Sequence, residues 1–150
     1  MLASLIPWFL TLAAWAGALF FHFVKMHAFL ESLLFFTVIF NGGIQGLWAA
    51  VGHLCFPVAT AAKIGWQSNG FQTEIGGTNL ALGITSVLCF WNHSWLLPVA
   101  LIISIYYASC VYIHIKEKVV DKNNAPCNSG PMLYNTILVV MTLWAAILLA

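Results

Sequence analysis

The chain has 150 residues, 62% of them hydrophobic and only 6% charged, with a mean hydropathy of +0.94 and a net charge of +1. A water-soluble domain carries about 25% charged residues, so most of this chain has the bilayer as its solvent. The basic residues are all lysine (Lys25, Lys63, Lys116, Lys118 and Lys122), and so few of them exclude nucleic acid as a partner, because neutralising several phosphates needs a basic face.

Residues 1–24 carry no Lys or Arg ahead of a long apolar stretch. Ala14-Trp15-Ala16 loosely fits a small-x-small cleavage site, but the stretch is too long and its start too neutral for a signal peptide. It reads as a retained first span over about 4–24, with Pro7 tolerable in the first turn. Four more apolar runs follow, at about 32–56 (ending near Pro57), 72–91, 95–115 and 132–150. Each can supply the ~20 helical residues that a ~30 Å hydrocarbon core requires. Asn92-His93-Ser94 divides the third from the fourth, Pro98 follows as a helix-start residue, and Trp91 and Trp95 suit an interfacial belt. Backbone groups in lipid must pair within their own segment, and no ten-residue alternation of a barrel is present. The expectation is an all-α polytopic bundle of five spans, a single transmembrane domain over 1–150 with no soluble domain.

With five spans, the N-terminus, the 57–71 loop and the 116–131 loop share one side, which holds four lysines; the other side holds only Lys25. The positive-inside rule places the N-terminus in the cytoplasm.

The second span carries Gly42, Gly46, Ala49 and His53 on one helical stripe. Gly42 and Gly46 form a GxxxG pair that lets another helix approach closely. His53 ends the stripe, either as a hydrogen-bonding group between helices or as packing. The third span opens at Asn69-Gly70-Phe71-Gln72, an N-cap candidate with Gln at the position that closes a capping box. Two small-and-polar stripes follow side by side: Glu74, Gly77, Thr78, Ala81 and Thr85, and Gln72, Gly76, Asn79, Gly83 and Ser86. Glu74 is one of four acidic residues. A carboxylate at the head of a span is costly without a partner, although the positive end of a helix dipole also favours one there. The reading favoured is a buried Glu74 paired with His53 or Lys63, with Asn79 and Tyr134 as hydrogen-bonding neighbours. The polar pocket expected at the inner leaflet comprises His53, Lys63, Trp66, Gln72, Glu74, Asn79, Asn128 and Tyr134. Gly42, Gly46, Ala49, Gly76 and Gly83 are expected to serve helix packing.

Cys55, Cys89, Cys110 and Cys127 show no CxxC or other ligand spacing and read as small hydrophobes. His53, Cys55, Glu74, His114 and Cys127 follow no metal-binding pattern, so no metal site is assigned, and no cofactor is named. His22, His27 and His93 read as interfacial. The charged run from Lys116 to Lys122 reads as a solvated extension of the fourth span, drawn to anionic headgroups. No hydrolase, metalloprotease, Walker or dinucleotide fingerprint occurs.

At Gly52-His53, Ile64-Gly65-Trp66, Phe71-Gln72-x-Glu74-x-Gly76-x-x-Asn79-Leu80 and Asn128-x-Gly130-Pro131-x-Leu133-Tyr134, the chain resembles a group of small bacterial polytopic membrane proteins known only as a domain of unknown function. The resemblance covers about residues 40–150 and implies a bacterial inner (cytoplasmic) membrane location, but no activity. The family pattern often places Pro before the Phe of the FQxE element and an acid after the Tyr motif, where this chain has Gly70 and Asn135.

Three functional classes are carried forward. The first is an accessory or assembly subunit of a membrane complex, in contact with lipid and with other subunits or copies of itself. The second is a small oligomeric transporter or channel with Glu74 as a proton or cation site. The third is a redox or lipid-modifying enzyme binding quinone, haem or metal. Catalysis is the less favoured reading.

Overall fold

The computed structural model describes residues 5–149; the outer ends of the first and last expected spans, residues 4 and 150, lie outside the described residues. Helix α1 (Ile6–Lys25) starts with Pro7 in its first turn and ends where Met26 turns left-handed at φ 58°. Its inward stripe is Pro7, Thr11, Ala14 and Ala18, the i, i+4, i+7 spacing of one helical face. Helix α2 (Phe29–Cys55) returns antiparallel, with Phe29 edge-on to Trp15 and Phe36 packed over Gly17.

The middle of α2, Val38–Ile44, winds as a π-helix, and the Gln45 N–H reaches the Phe40 carbonyl five residues back. The wide turn exposes the Asn41 carbonyl, which accepts from the Tyr107 hydroxyl at 2.6 Å. Such turns mark places where a helix yields to a tertiary demand. Pro57 opens the short α3 (Pro57–Ile64), which Gly65 closes at φ +83°.

Helix α4 (Gly70–Leu88) begins at Asn69, whose side chain accepts from the Phe71 N–H at 3.0 Å. The cap forms as expected. The capping box does not, because the Gln72 amide donates instead to the Pro57 carbonyl at 2.8 Å. After a four-residue connection, α5 (His93–Val119) starts with a turn of 3₁₀ helix at His93–Trp95. A loop and the one-turn α6 (Pro126–Ser129) lead to α7 (Pro131–Leu149).

The core is built from α2, α4, α5 and α7, around Val38, Leu82, Ile103, Val139 and Leu143. The outer surface carries Phe9, Ile105 and Leu148, each more than half exposed, as an acyl environment requires. Among the described residues there is no strand.

Four helical stretches are long and apolar enough to cross a membrane: Ile6–Lys25, Phe29–Cys55, His93–Val119 and Pro126–Leu149. Helix α4 falls short of that composition because it carries Gln72, Glu74 and Asn79, yet the fold carries it across. Its start lies by α3, at the end where Asn123 of the α5–α6 loop donates to the Ile64 carbonyl and Trp8 of α1 donates to the Pro131 carbonyl. Its far end feeds α5 at His93, beside Phe35 in the first turns of α2. Nineteen residues at ~1.5 Å each give about 28 Å, the length needed for the expected third span over about 72–91. The starts of α1 and α7, the α3 region and the α5–α6 loop therefore share one end of the bundle, with Lys63, Lys116, Lys118 and Lys122.

Candidate functional site

Helices α2 and α4 pack antiparallel through their glycines. A Cβ on Gly46 would lie 3.2 Å from Gly83 Cα and 3.3 Å from the Asn79 carbonyl oxygen; one on Gly83 would lie 2.9 Å from Leu47 N. Two turns along, Gly76 faces Leu54 and the His53 Cβ, and in the other direction Gly42 faces Ser86 and Ile103. This seam buries Gln72, Gly76, Asn79, Gly83 and Ser86.

Glu74 lies two residues from Gly76, about 200° round the helix, and so points away from His53. Its side chain is exposed, as are Gly77, Thr78 and Ala81, with Thr85 half-buried. The Glu74 residue joins the hydrogen-bond network through its backbone carbonyl, which accepts from the Thr78 hydroxyl at 3.0 Å. The buried pairing of Glu74 with His53 or Lys63 is therefore corrected: packing against α2 takes the other stripe. The two expected hydrogen-bonding neighbours are engaged elsewhere. Asn79 donates to the Tyr106 hydroxyl at 2.9 Å and to the Ile75 carbonyl. Tyr134 is exposed, and its hydroxyl accepts from Lys118 Nζ at 3.3 Å, with the ammonium 5.4 Å from the ring centre.

Of the expected pocket residues, His53 and Lys63 line one cavity, together with His114 and Cys127. It has a volume of about 420 Å³ and lies between the end of α2, α3, α5 and the α6–α7 corner. Trp48, Ala49, Val51, Phe56 and Met132 make its apolar walls. A smaller one of about 110 Å³ adjoins it, shares Trp48, His53 and His114, and reaches Asn79, Tyr106 and Cys110. Trp66 stacks on His114 at 5.5 Å and 16°. At the ring edge His114 Nδ1 meets Asn128 Oδ1 at 2.7 Å, and the buried Asn128 amide donates to the Asn123 carbonyl at 2.9 Å. His53 Nδ1 and Trp66 Nε1 are buried with no hydrogen-bond partner among the described residues. No group of three His, Cys, Asp or Glu is placed to hold a metal ion among the described residues. The cysteines are free, Cys55 exposed and Cys89 buried.

Two features escape the sequence reading. The α5–α6 loop is docked rather than merely solvated: Asn123 donates to the Ile64 carbonyl at 3.0 Å and to Glu117 at 3.2 Å, and its own oxygen accepts from the Ala125 N–H. At mid-bundle, the Thr11 hydroxyl oxygen accepts from both Asn41 and Asn135 at 2.8 Å, and Asn41 also donates to Gln45 at 3.0 Å. Asn41 and Asn135 are both fully buried. The signal for this cluster was Asn41 itself, an amide deep in an apolar run, which by the cost of intramembrane polar groups needs a partner.

Apolar helices sheathed in lipid-facing side chains, with polar groups gathered inside and at one end, define a polytopic helical membrane protein. Within that class, the chain belongs to DUF6790, a family of unknown function, whose model matches residues 4–150. The match takes in α1, beyond the stretch from residue 40 on which the motif resemblance rests. No curated protein and no solved structure matches it.

Proposed function

We propose that this protein is an accessory subunit of a larger assembly in the cytoplasmic membrane, and that the outward face of α4 receives a transmembrane helix of another subunit. The observation that carries the reading is the exposure of Glu74, Gly77, Thr78 and Ala81 on a membrane-crossing helix. The threonines satisfy their hydroxyls on their own helix, Thr78 at the Glu74 carbonyl and Thr85 at those of Ala81 and Leu82, a bond that leaves them tolerable in lipid. Glu74 and Gly77 have no such account. A Cβ at Gly77 would meet nothing within 4 Å, so this glycine is not explained by packing within the chain. Gly77, Ala81 and Thr85, four residues apart, form the small-xxx-small surface on which membrane helices approach closely. Glu74, one turn nearer the lysine-rich end, offers a carboxylate to a donor or cation on the partner.

With the lysine-rich end in the cytoplasm, that contact lies at the inner leaflet. The whole chain acts as one transmembrane domain, without catalysis of its own. The transporter alternative needs Glu74 to face a pathway shared between copies, since the side chain points away from the cavity of its own bundle.

The test is purification of the native complex in mild detergent, with the partner identified by mass spectrometry. A stoichiometric partner is expected, lost on Gly77→Leu and Ala81→Leu while the subunit itself still folds. A lone, monodisperse monomer from the wild-type membrane would contradict the reading.

A further inference from the structure

Independently of the α4 face, the cavity at the lysine-rich end has the chemistry of a ligand site. Its volume of about 420 Å³ lies in the range of small-molecule pockets, roughly 300–1,000 Å³. Its walls are mainly apolar, from Trp48, Val51, Phe56 and Met132, and the polar residues that line it are His53, Thr60, Lys63, His114 and Cys127. Two of these are already engaged. The Thr60 hydroxyl donates to the Gly52 carbonyl at 2.8 Å, and His114 is held by Asn128. Lys63 and His53 remain.

His53 lines the cavity, and its Nδ1 is buried without a hydrogen-bond partner among the described residues. No Asp or Glu lines this cavity or the smaller one beside it, among the described residues. The ammonium of Lys63 therefore brings a positive charge into a lining without a carboxylate. Lys63, Val51 and Phe56 are all exposed as well as lining, so the mouth has an apolar lip and a cation at the level where a lipid headgroup sits. A water-soluble anion would find little beyond Lys63 to hold it, and a plain hydrocarbon would leave Lys63 and His53 unused.

We propose that this cavity binds an anionic amphiphile. Its carboxylate or phosphate oxygens accept from Lys63 Nζ and the His53 ring, and its hydrocarbon lies along Trp48, Val51, Phe56 and Met132. Neutral imidazole carries its proton on either nitrogen, and an anionic head selects the tautomer with the proton on the ring nitrogen that it meets. A free fatty acid and an acidic phospholipid share this chemistry.

The experiment uses the full chain reconstituted in phosphatidylcholine vesicles, with tryptophan fluorescence as the readout. Dibromostearate and dibrominated phosphatidylglycerol are each titrated against dibrominated phosphatidylcholine, which reports ordinary lipid contact by all the tryptophans. At least one anionic probe is expected to quench saturably beyond that baseline. The excess should disappear in Trp48→Phe. The half-saturation point should move about tenfold upward in Lys63→Gln, the loss of one charge-assisted contact. Ala59→Trp, at the exposed rim, should abolish the excess. Saturation by stearate alone assigns a free fatty acid, by phosphatidylglycerol alone a phospholipid, and by both the shared anionic head. Quenching by both anionic probes that superimposes on the phosphatidylcholine curve overturns the site. So does a saturable excess that survives Ala59→Trp. An excess lost in Ala59→Trp but unmoved in Lys63→Gln overturns the anionic head.

Discussion

Helix α4 has two faces of nearly the same composition and opposite fates. One carries Gln72, Gly76, Asn79, Gly83 and Ser86 and is buried against α2 and α5; the other carries Glu74, Gly77, Thr78 and Ala81 and is bare. Both are small, and both hold glycine and hydroxyl groups. The difference lies in complementarity. Gly83 meets the backbone of α2 across from Gly46, Asn79 reaches Tyr106, and Gln72 reaches the carbonyl of Pro57. The outward face has no surface in its own chain shaped to receive it. A small-and-polar stripe on a membrane helix thus marks a place of close approach, without saying whether the approaching helix belongs to the same chain.

Substitutions can break or sharpen this contrast. The largest effect is expected from Gly46→Leu. Its side chain must enter space held by the backbone of Gly83 and Asn79, which cannot yield as a flexible side chain would. A loss of about 3 kcal/mol is expected, read as a collapse of the folded peak in gel filtration after heating. A wild-type profile would mean that the α2–α4 seam is not where the structure puts it. Next comes Asn41→Leu, which removes the amide donating to Thr11 and Gln45. It should cost roughly 1–2 kcal/mol in reversible unfolding from mixed micelles. Asn79→Leu, with one interhelical bond to Tyr106, should cost about 0.6 kcal/mol, the usual worth of such a bond between membrane helices. The double change with Tyr106→Phe should add little beyond it. Smallest is Glu74→Gln, expected within about 0.5 kcal/mol of wild type because the side chain is exposed. A large destabilisation there would restore the buried ion pair that the packing excludes.

Much of this was legible in the residues. Four of the five expected spans follow from apolar runs of the right length. The Gly42–Gly46 pair marks a close seam, and the lysines identify one end of the bundle. Asn69 is read correctly as a cap because its local chemistry suffices.

What escaped depends on partners distant in sequence. The inward face of α4 is chosen by Gly46 and Gly76 meeting helices whose register no local pattern encodes, so the most conspicuous charge drew the site toward Glu74. The π-helical turn at Val38–Ile44 is fixed from outside as well, by the Tyr107 hydroxyl 66 residues away. Asn123 follows the charged run as a polar loop residue, and only the arrival of α3's last carbonyl gives it a role. The cavity residues His53 and His114 lie on different helices, 61 positions apart by number (114 − 53), and meet only because α2 and α5 end at the same level.

Two glycines on α4, Gly83 and Gly77, serve different neighbours. Gly83→Leu and Gly77→Leu test this side by side, through the thermal stability of the purified protein and its retained partner. Gly83→Leu should lower the melting temperature much as Gly46→Leu does, since a Cβ there already lies 2.9 Å from Leu47 N. Gly77→Leu should leave the melting temperature unchanged and release the partner. A Gly77→Leu protein that melts early, or a Gly83→Leu protein that melts like wild type, would show that α4 is turned the other way.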